Sequence, residues 1–164
     1  MRCPVRGNQE GGVRVSKNIL VVYKKNFEDV HDDALDIVKN TLEKIGEDLD
    51  INVNYSAREK VSREDFIERD LVVVLGGDGT LTSIAHSVDE NTPVMGVNSH
   101  PRDMDNDGSY GFYMGSDPIN FKEDIQKALS NNAIVNILPR LQAEISTTSG
   151  NIIRSDPALN DLLL

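Results

Sequence analysis

The sequence has a single cysteine, Cys3, in 164 residues, which excludes an internal disulfide framework and any Cys-based zinc site. It has no apolar run near the roughly 18 residues that a membrane-spanning helix requires. The opening stretch, residues 1–17, has no apolar centre of the kind a secretory signal carries, and its Gly-rich, aperiodic texture reads as a loose tail. Basic residues are scarce: 17 Lys and Arg stand against 27 Asp and Glu, for a net charge of −10. Phosphate-backbone and anionic-membrane surfaces need clustered Lys and Arg, so neither nucleic acid nor a membrane is expected as a partner. A small anionic ligand stays open, because backbone amides and a bound cation can also handle phosphate. A soluble, cytoplasmic globular protein is the expectation.

Two short β-branched runs stand out. Residues 19–23 (Ile-Leu-Val-Val-Tyr) and 71–75 (Leu-Val-Val-Val-Leu) read as strands buried on both faces. Between them, apolar positions at helical spacing predict a helix over 31–45 that ends at Gly46, and Ile51, Val53 and Tyr55 alternate as in a strand. A polar, helix-compatible piece covers 62–69. A helix over 81–88 and a buried strand over 93–97 follow. Asp117 and Pro118 are suited to cap and begin a helix whose shared face holds Phe121, Ile125, Ala128 and Leu129, ending at Asn131-Asn132. Strands alternating with helices predict an α/β fold with a parallel sheet. Beyond residue 132 the texture turns to strands, over 134–138, 141–146, 151–154 and 158–164. The expected organisation is a tail (1–17), an N-terminal α/β domain (18–132) and the beginning of an incomplete β-rich domain (133–164). The apolar ending Leu162-Leu163-Leu164 suggests a truncated chain whose second domain lacks its partner strands.

The chemistry concentrates where the run 71–75 meets Gly76-Gly77-Asp78-Gly79-Thr80. Glycines allow a sharp turn and close approach of backbone to a ligand, and a helix start near Thr80 would offer amides to an anion. Asp78 is out of place beside phosphates unless a metal ion lies between them or its carboxylate takes a proton from an attacking hydroxyl. The plainer alternative is a Gly-rich turn in which Asp78 caps the next helix. The loop lacks the Lys and the spacing of a Walker A motif. Lys24 and Lys25 close the first strand on the edge where α/β proteins bind ligands, so either is a candidate phosphate contact. Arg140 is a candidate for phosphate or, more simply, for a surface ion pair. Asp103-Met104-Asp105-Asn106-Asp107-Gly108 matches half of a calcium loop, but Met114 stands where the bidentate Glu belongs, and a solvated acidic loop is expected. His31, His86 and His100 show no metal spacing, and surface or packing roles are their default. No metal site from protein side chains is assigned.

The loop Gly76-Gly77-Asp78-Gly79-Thr80 after a hydrophobic strand resembles a signature shared by NAD kinases, diacylglycerol-type lipid kinases and phosphofructokinases. Three further segments are similar to NAD kinases: Gly96-Val97-Asn98, Tyr110-Gly111-Phe112-Tyr113 and Ala158-Leu159-Asn160-Asp161. The last has Asp where that family has Glu. Lipid kinases place an Asn-Glu pair after the glycine loop, where this chain has Leu81-Thr82-Ser83-Ile84. The Asn-Asp ending and the long segment before Gly111 look most like the plant NADH-kinase and mitochondrial NAD-kinase branch. This resemblance implies a two-domain, ATP- and Mg-dependent enzyme that phosphorylates the adenosine-ribose 2′-hydroxyl of NAD or NADH and assembles as homo-oligomers at full length. It implies Asp78 as the base or hydroxyl-orienting carboxylate, with Gly76, Gly77, Gly79 and Thr80 presenting the loop to phosphates and ribose. Phe112 would line the dinucleotide pocket, and Asn160 and Asp161 would bond its ribose or base. His100 stands where close relatives tend to carry Asp. The family's later Thr-Pro-Thr-Gly-Ser-like motif is absent, so this chain alone is expected to be inactive. The rivals are a lipid kinase of the same superfamily and a non-catalytic nucleotide-binding module.

Overall fold

A computed structural model describes residues 16–25, 29–102 and 107–159. Its centre is a four-stranded, all-parallel sheet in the order β2-β1-β3-β4, formed by β1 (Lys17–Tyr23), β2 (Ile51–Ala57), β3 (Leu71–Gly76) and β4 (Val94–Asn98). The mixed α/β architecture expected from the sequence is therefore present. The two β-branched runs occupy the two central strands, where a side chain on either face meets a covering layer. Ile19 to Val22 and Val72 to Val74 are 0–1% exposed. The edge strands are less covered: β2 is largely open to solvent, with Tyr55 exposed, and β4 is exposed at its start, where Val94 reaches solvent.

Each face of the sheet has its own core. Ile19, Val21, Leu71, Val73 and Leu75 pack against helix α1 (Asp29–Asp48) through Ala34, Val38 and Leu42, and against α3 (Phe121–Leu129) through Phe121, Ile125 and Leu129. Leu20, Val22, Val72 and Val74 on the other face meet Phe66, from a short 3-10 turn at Arg63–Phe66, and Leu81 and Ile84 of α2 (Asp78–Ile84). Helix α1 connects β1 to β2 over the first face, and α2 connects β3 to β4 over the second. The chain thus leaves β1 and β3 toward opposite faces, and a crevice opens between them at the carboxyl edge of the sheet.

Several element boundaries differ from the sequence expectation, each for a local reason. Helix α1 runs through Gly46 to Asp48, because Leu49 N still donates to Ile45 O (2.9 Å) and Ile45 is held in the core. Helix α2 begins three residues early, at Asp78, with Gly77 as its N-cap. Asp117 does not cap α3. Its Oδ1 accepts from Ile119 N and Asn120 N, closing a separate turn, and α3 starts at Phe121 behind Asn120. The end of α3 is as expected: Asn131 takes φ 58° and Asn132 N donates to Lys127 O (2.8 Å).

The expected strand over 134–138 does not form. A strand needs a ladder partner, and among the described residues none lies beside it; Ile134 and Ile137 are each 93% exposed. The run 141–146 is shorter than expected, reduced to β5 (Glu144–Ser146), which pairs antiparallel with β6 (Ile152–Arg154) in a two-stranded sheet of its own. Leu141 makes an isolated bridge to Ala158. Cys3, the acidic residues 103–106, and Asn160, Asp161 and the leucines after them lie outside the described residues. No helix among the described residues is long and apolar enough to cross a membrane.

Candidate functional site

The glycine loop sits where β3 ends, and each of its residues is held differently. Gly76 is buried and tight: a Cβ there would stand 2.8 Å from Thr80 Cβ, so no other residue fits without moving Thr80. Thr80 is 2% exposed and its amide donates to Gly77 O (2.9 Å). The Thr80 side chain packs against Gly76 and supports the loop from below. Gly77 lies against Ser109, whose Oγ would be 3.0 Å from an added Cβ. Gly79 differs from both. Nothing lies within 4 Å of the Cβ it lacks, so the loop is open on that side to an approaching molecule.

Asp78 makes no capping bond with α2. Its carboxylate reaches 34 and 35 residues along the chain instead, where Oδ2 accepts from Phe112 N (3.0 Å) and Oδ1 from Tyr113 N (2.8 Å). The plainer reading of Asp78 as a helix cap is thereby excluded, and the Gly-Phe-Tyr segment is drawn beside the glycine loop. Two successive amides fix the carboxylate plane. An ionised carboxylate has about four acceptor positions, so each oxygen keeps one for a further donor such as a sugar hydroxyl. Gly111, at φ 66°, makes this turn possible; a Cβ there would also collide with Asn98 Nδ2 at 2.6 Å. The Phe112 ring, 89% exposed, projects from this segment into solvent.

Asn98, the last residue of β4, organises the facing loop. It is 6% exposed, donates from Nδ2 to Ser109 O (3.0 Å) and accepts at Oδ1 from His100 N (3.2 Å). Ser99 N then donates to Gly76 O (3.0 Å), which ties that loop to the glycine loop. Between this loop, β1 and the start of α1 lies a cleft of about 420 Å³, lined by Lys24, His31, Gly77, Ser99, His100 and Ser109 among others. Lys24 faces this cleft, whereas Lys25 is exposed and is not among its lining residues. His31 is no surface residue: it is 9% exposed and its Nδ1 shares a hydrogen bond of 2.7 Å with Ser99 Oγ. Sequence reasoning gave His31 a surface or packing role by default and could not pair it with Ser99, for they lie 68 positions apart and neither carries a motif. The buried polarity of Asn98 was equally unreadable before its partners were known.

Arg140 Nη1 donates to Ala85 O and Val88 O, both at 2.7 Å, just past the end of α2. Hydrogen bonds from Thr92 and Asn91 hold the Asp89 carboxyl below the ordinary carboxylate range, and the positive charge of Arg140 helps. Among the described residues, no three His, Cys, Asp or Glu side chains converge as a metal site would require.

A parallel sheet with Gly-Gly-Asp-Gly-Thr at its carboxyl edge, and an Asp clamped by the Gly-Phe-Tyr segment, can be compared with known proteins. Residues 28–133 match the family model described as the ATP-NAD kinase N-terminal domain. The chain belongs to the NAD kinase family. It is 34% identical over 96 residues to an NAD kinase of Pseudomonas fluorescens, covering 58% of this chain and 29% of that one. It is 25% identical over 162 residues to a probable NADH kinase of Oryza sativa subsp. japonica, covering 93% of this chain and 47% of that one. Among solved structures, an NAD kinase from Archaeoglobus fulgidus in complex with ATP superposes with a TM-score of 0.54 at 19% identity, covering 81% of this chain and 44% of that one. That likeness shows a shared fold. The chain spans less than half the length of these relatives.

Proposed function

We propose that this chain is the nucleotide-binding part of an NAD kinase, an enzyme that moves the γ-phosphate of ATP to the adenosine-ribose 2′-hydroxyl of NAD or NADH. The observation that carries the reading is Asp78, a carboxylate held on both oxygens by the amides of Phe112 and Tyr113 beside an open glycine loop. A carboxylate so fixed can accept the hydrogen bond of a ribose hydroxyl, orient its oxygen toward the γ-phosphorus and take the proton as the new P–O bond forms and ADP departs. Positioned acid–base groups of this kind contribute about 10²–10⁴-fold to rate. Gly77 and Gly79 let the phosphates approach the loop, and the cleft beside Lys24 takes the triphosphate, with the Lys24 ammonium offsetting part of its charge. Phe112 supplies an exposed ring for the dinucleotide. On this reading Mg would enter with ATP, held on its phosphates.

Residues 18–132 serve as the α/β domain, and 133–164 begin a β-rich domain that brings Asn160 and Asp161 to the dinucleotide. On this reading the 164-residue chain alone does not turn over. The relatives named NAD kinase and NADH kinase support the reaction class. The test is an NADP(H)-formation assay on the protein at full length with ATP and either dinucleotide. Asp78→Asn is expected to lower kcat by about 100-fold or more while dinucleotide affinity stays near wild type. Wild-type-like rates in that variant remove Asp78 from the mechanism. Dinucleotide binding without turnover in the wild type makes the protein a binding module, and phosphorylation of lipid in place of NAD(H) makes it a lipid kinase.

A further inference from the structure

We propose that the hydrogen bond between His31 and Ser99 is a positioning contact that sets the width of the cleft beside Lys24, and with it the affinity for the nucleoside triphosphate. This rests on the reading above that the cleft takes the phosphates of ATP. His31 lies in the first turn of α1, the element entered from β1 and Lys24, whereas Ser99 lies directly past the last residue of β4. Both residues line the cleft, and their bond of 2.7 Å joins its α1 side to its β4 side. From Ser99 the connection continues without a gap. Ser99 N donates to Gly76 O, Asn98 holds Ser109 O, and Ser109 packs on Gly77. The start of α1 is therefore tied through this buried polar contact to the loop that packs against Gly76 and Gly77.

Packing alone does not account for an imidazole at this place. Burying a polar ring costs free energy unless it is hydrogen-bonded, and an apolar residue of similar size would fill the space without that cost. What the polar pair adds is a fixed distance between two walls, one on α1 and one on the loop that follows β4. Both side chains are buried, and their role is to hold the backbone that a triphosphate meets; neither is placed on a reacting atom.

The experiment measures ATP binding by titration, together with KM and kcat, on the protein at full length. His31→Leu keeps the bulk but loses the bond to Ser99 and the edge contact of the imidazole with His100, and is expected to weaken ATP binding and raise the ATP KM by about fivefold or more. The dinucleotide KM and kcat should change by no more than about twofold, since no group at the reacting centre is touched. His31→Asn, whose amide can occupy the position of Nδ1, should recover most of the ATP affinity. Ser99→Ala should weaken ATP binding in the same direction as His31→Leu, and the double variant should lose less than the sum of the two single changes. Equal losses in His31→Leu and His31→Asn, or an unchanged ATP affinity in Ser99→Ala, overturn the inference, as does a wild type that binds no ATP. If the wild type binds ATP but transfers nothing to NAD or NADH while the His31 and Ser99 effects on ATP binding persist, the proposed reaction falls and the positioning role stands. If NADP(H) forms normally with ATP affinity unmoved in all three variants, the reverse holds.

Discussion

Residues 19–22 (Ile-Leu-Val-Val) and 134–138 (Ile-Val-Asn-Ile-Leu) are similarly apolar and β-branched, yet they end in opposite environments. The first run is 0–1% exposed in the middle of a parallel sheet; in the second, Ile134, Val135, Ile137 and Leu138 are 51–93% exposed and unpaired among the described residues. The same contrast extends to their surroundings. The sheet region has helices on both faces, whereas β5 and β6 form an isolated pair whose Ile145, Ile152 and Ile153 reach solvent. Apolar sequence states which residues would gain by burial, but a layer of neighbours is needed before the gain is realised.

Three substitutions, spread over the two regions, test that contrast. Ile125→Ala removes a side chain with 0% exposure from the interface of α3 with the sheet. It is expected to cost about 2–5 kcal/mol in denaturant unfolding, the range for large-to-small changes in a packed core. A loss under 1 kcal/mol would mean that α3 is not part of one core with β1 and β3. A smaller effect is expected from Arg140→Ala, which removes two hydrogen bonds to the carbonyls of Ala85 and Val88. Hydrogen exchange should then rise across residues 141–158 and stay unchanged in β1 and β3, with about 1–3 kcal/mol of local opening energy lost. Uniform change across both regions would show that the two unfold as one unit. The smallest effect belongs to Ile153→Ser, expected within about 0.5 kcal/mol in the 164-residue chain because the side chain is already in solvent. The same substitution in the protein at full length distinguishes an exposed hairpin from a covered one: a cost of 2 kcal/mol or more there would mean that further residues bury this face.

Much of the fold was legible because it depends on local pattern. The runs at 19–23 and 71–75, and the face formed by Phe121, Ile125 and Leu129, are readable from spacing alone. Boundaries were less so. Gly46 has the chemistry of a helix end, but the core contact of Ile45 carries α1 past it, and Asp117 has the chemistry of a cap but serves a preceding turn. At the candidate site, the glycine loop was visible as a motif and Lys24 as a strand end. The partners of Asp78 were not visible, because backbone amides have no residue identity to read and lie 34 and 35 positions away. The pairing of His31 with Ser99 was hidden for a related reason: each is ordinary by itself, and their contact exists only once α1 and the end of β4 lie side by side.

By itself the amino-acid sequence determined which segments would pair into a parallel sheet, where the glycine loop would break it, and to which family the chain is similar. These follow from short-range periodicity and from contiguous motifs. The tertiary structure alone decided that Asp78 faces two amides instead of capping its helix, that Thr80 supports the loop from beneath, and that a histidine joins two walls of one cleft. Those outcomes depend on which distant groups the sheet order brings within hydrogen-bond reach, and no local pattern encodes that distance.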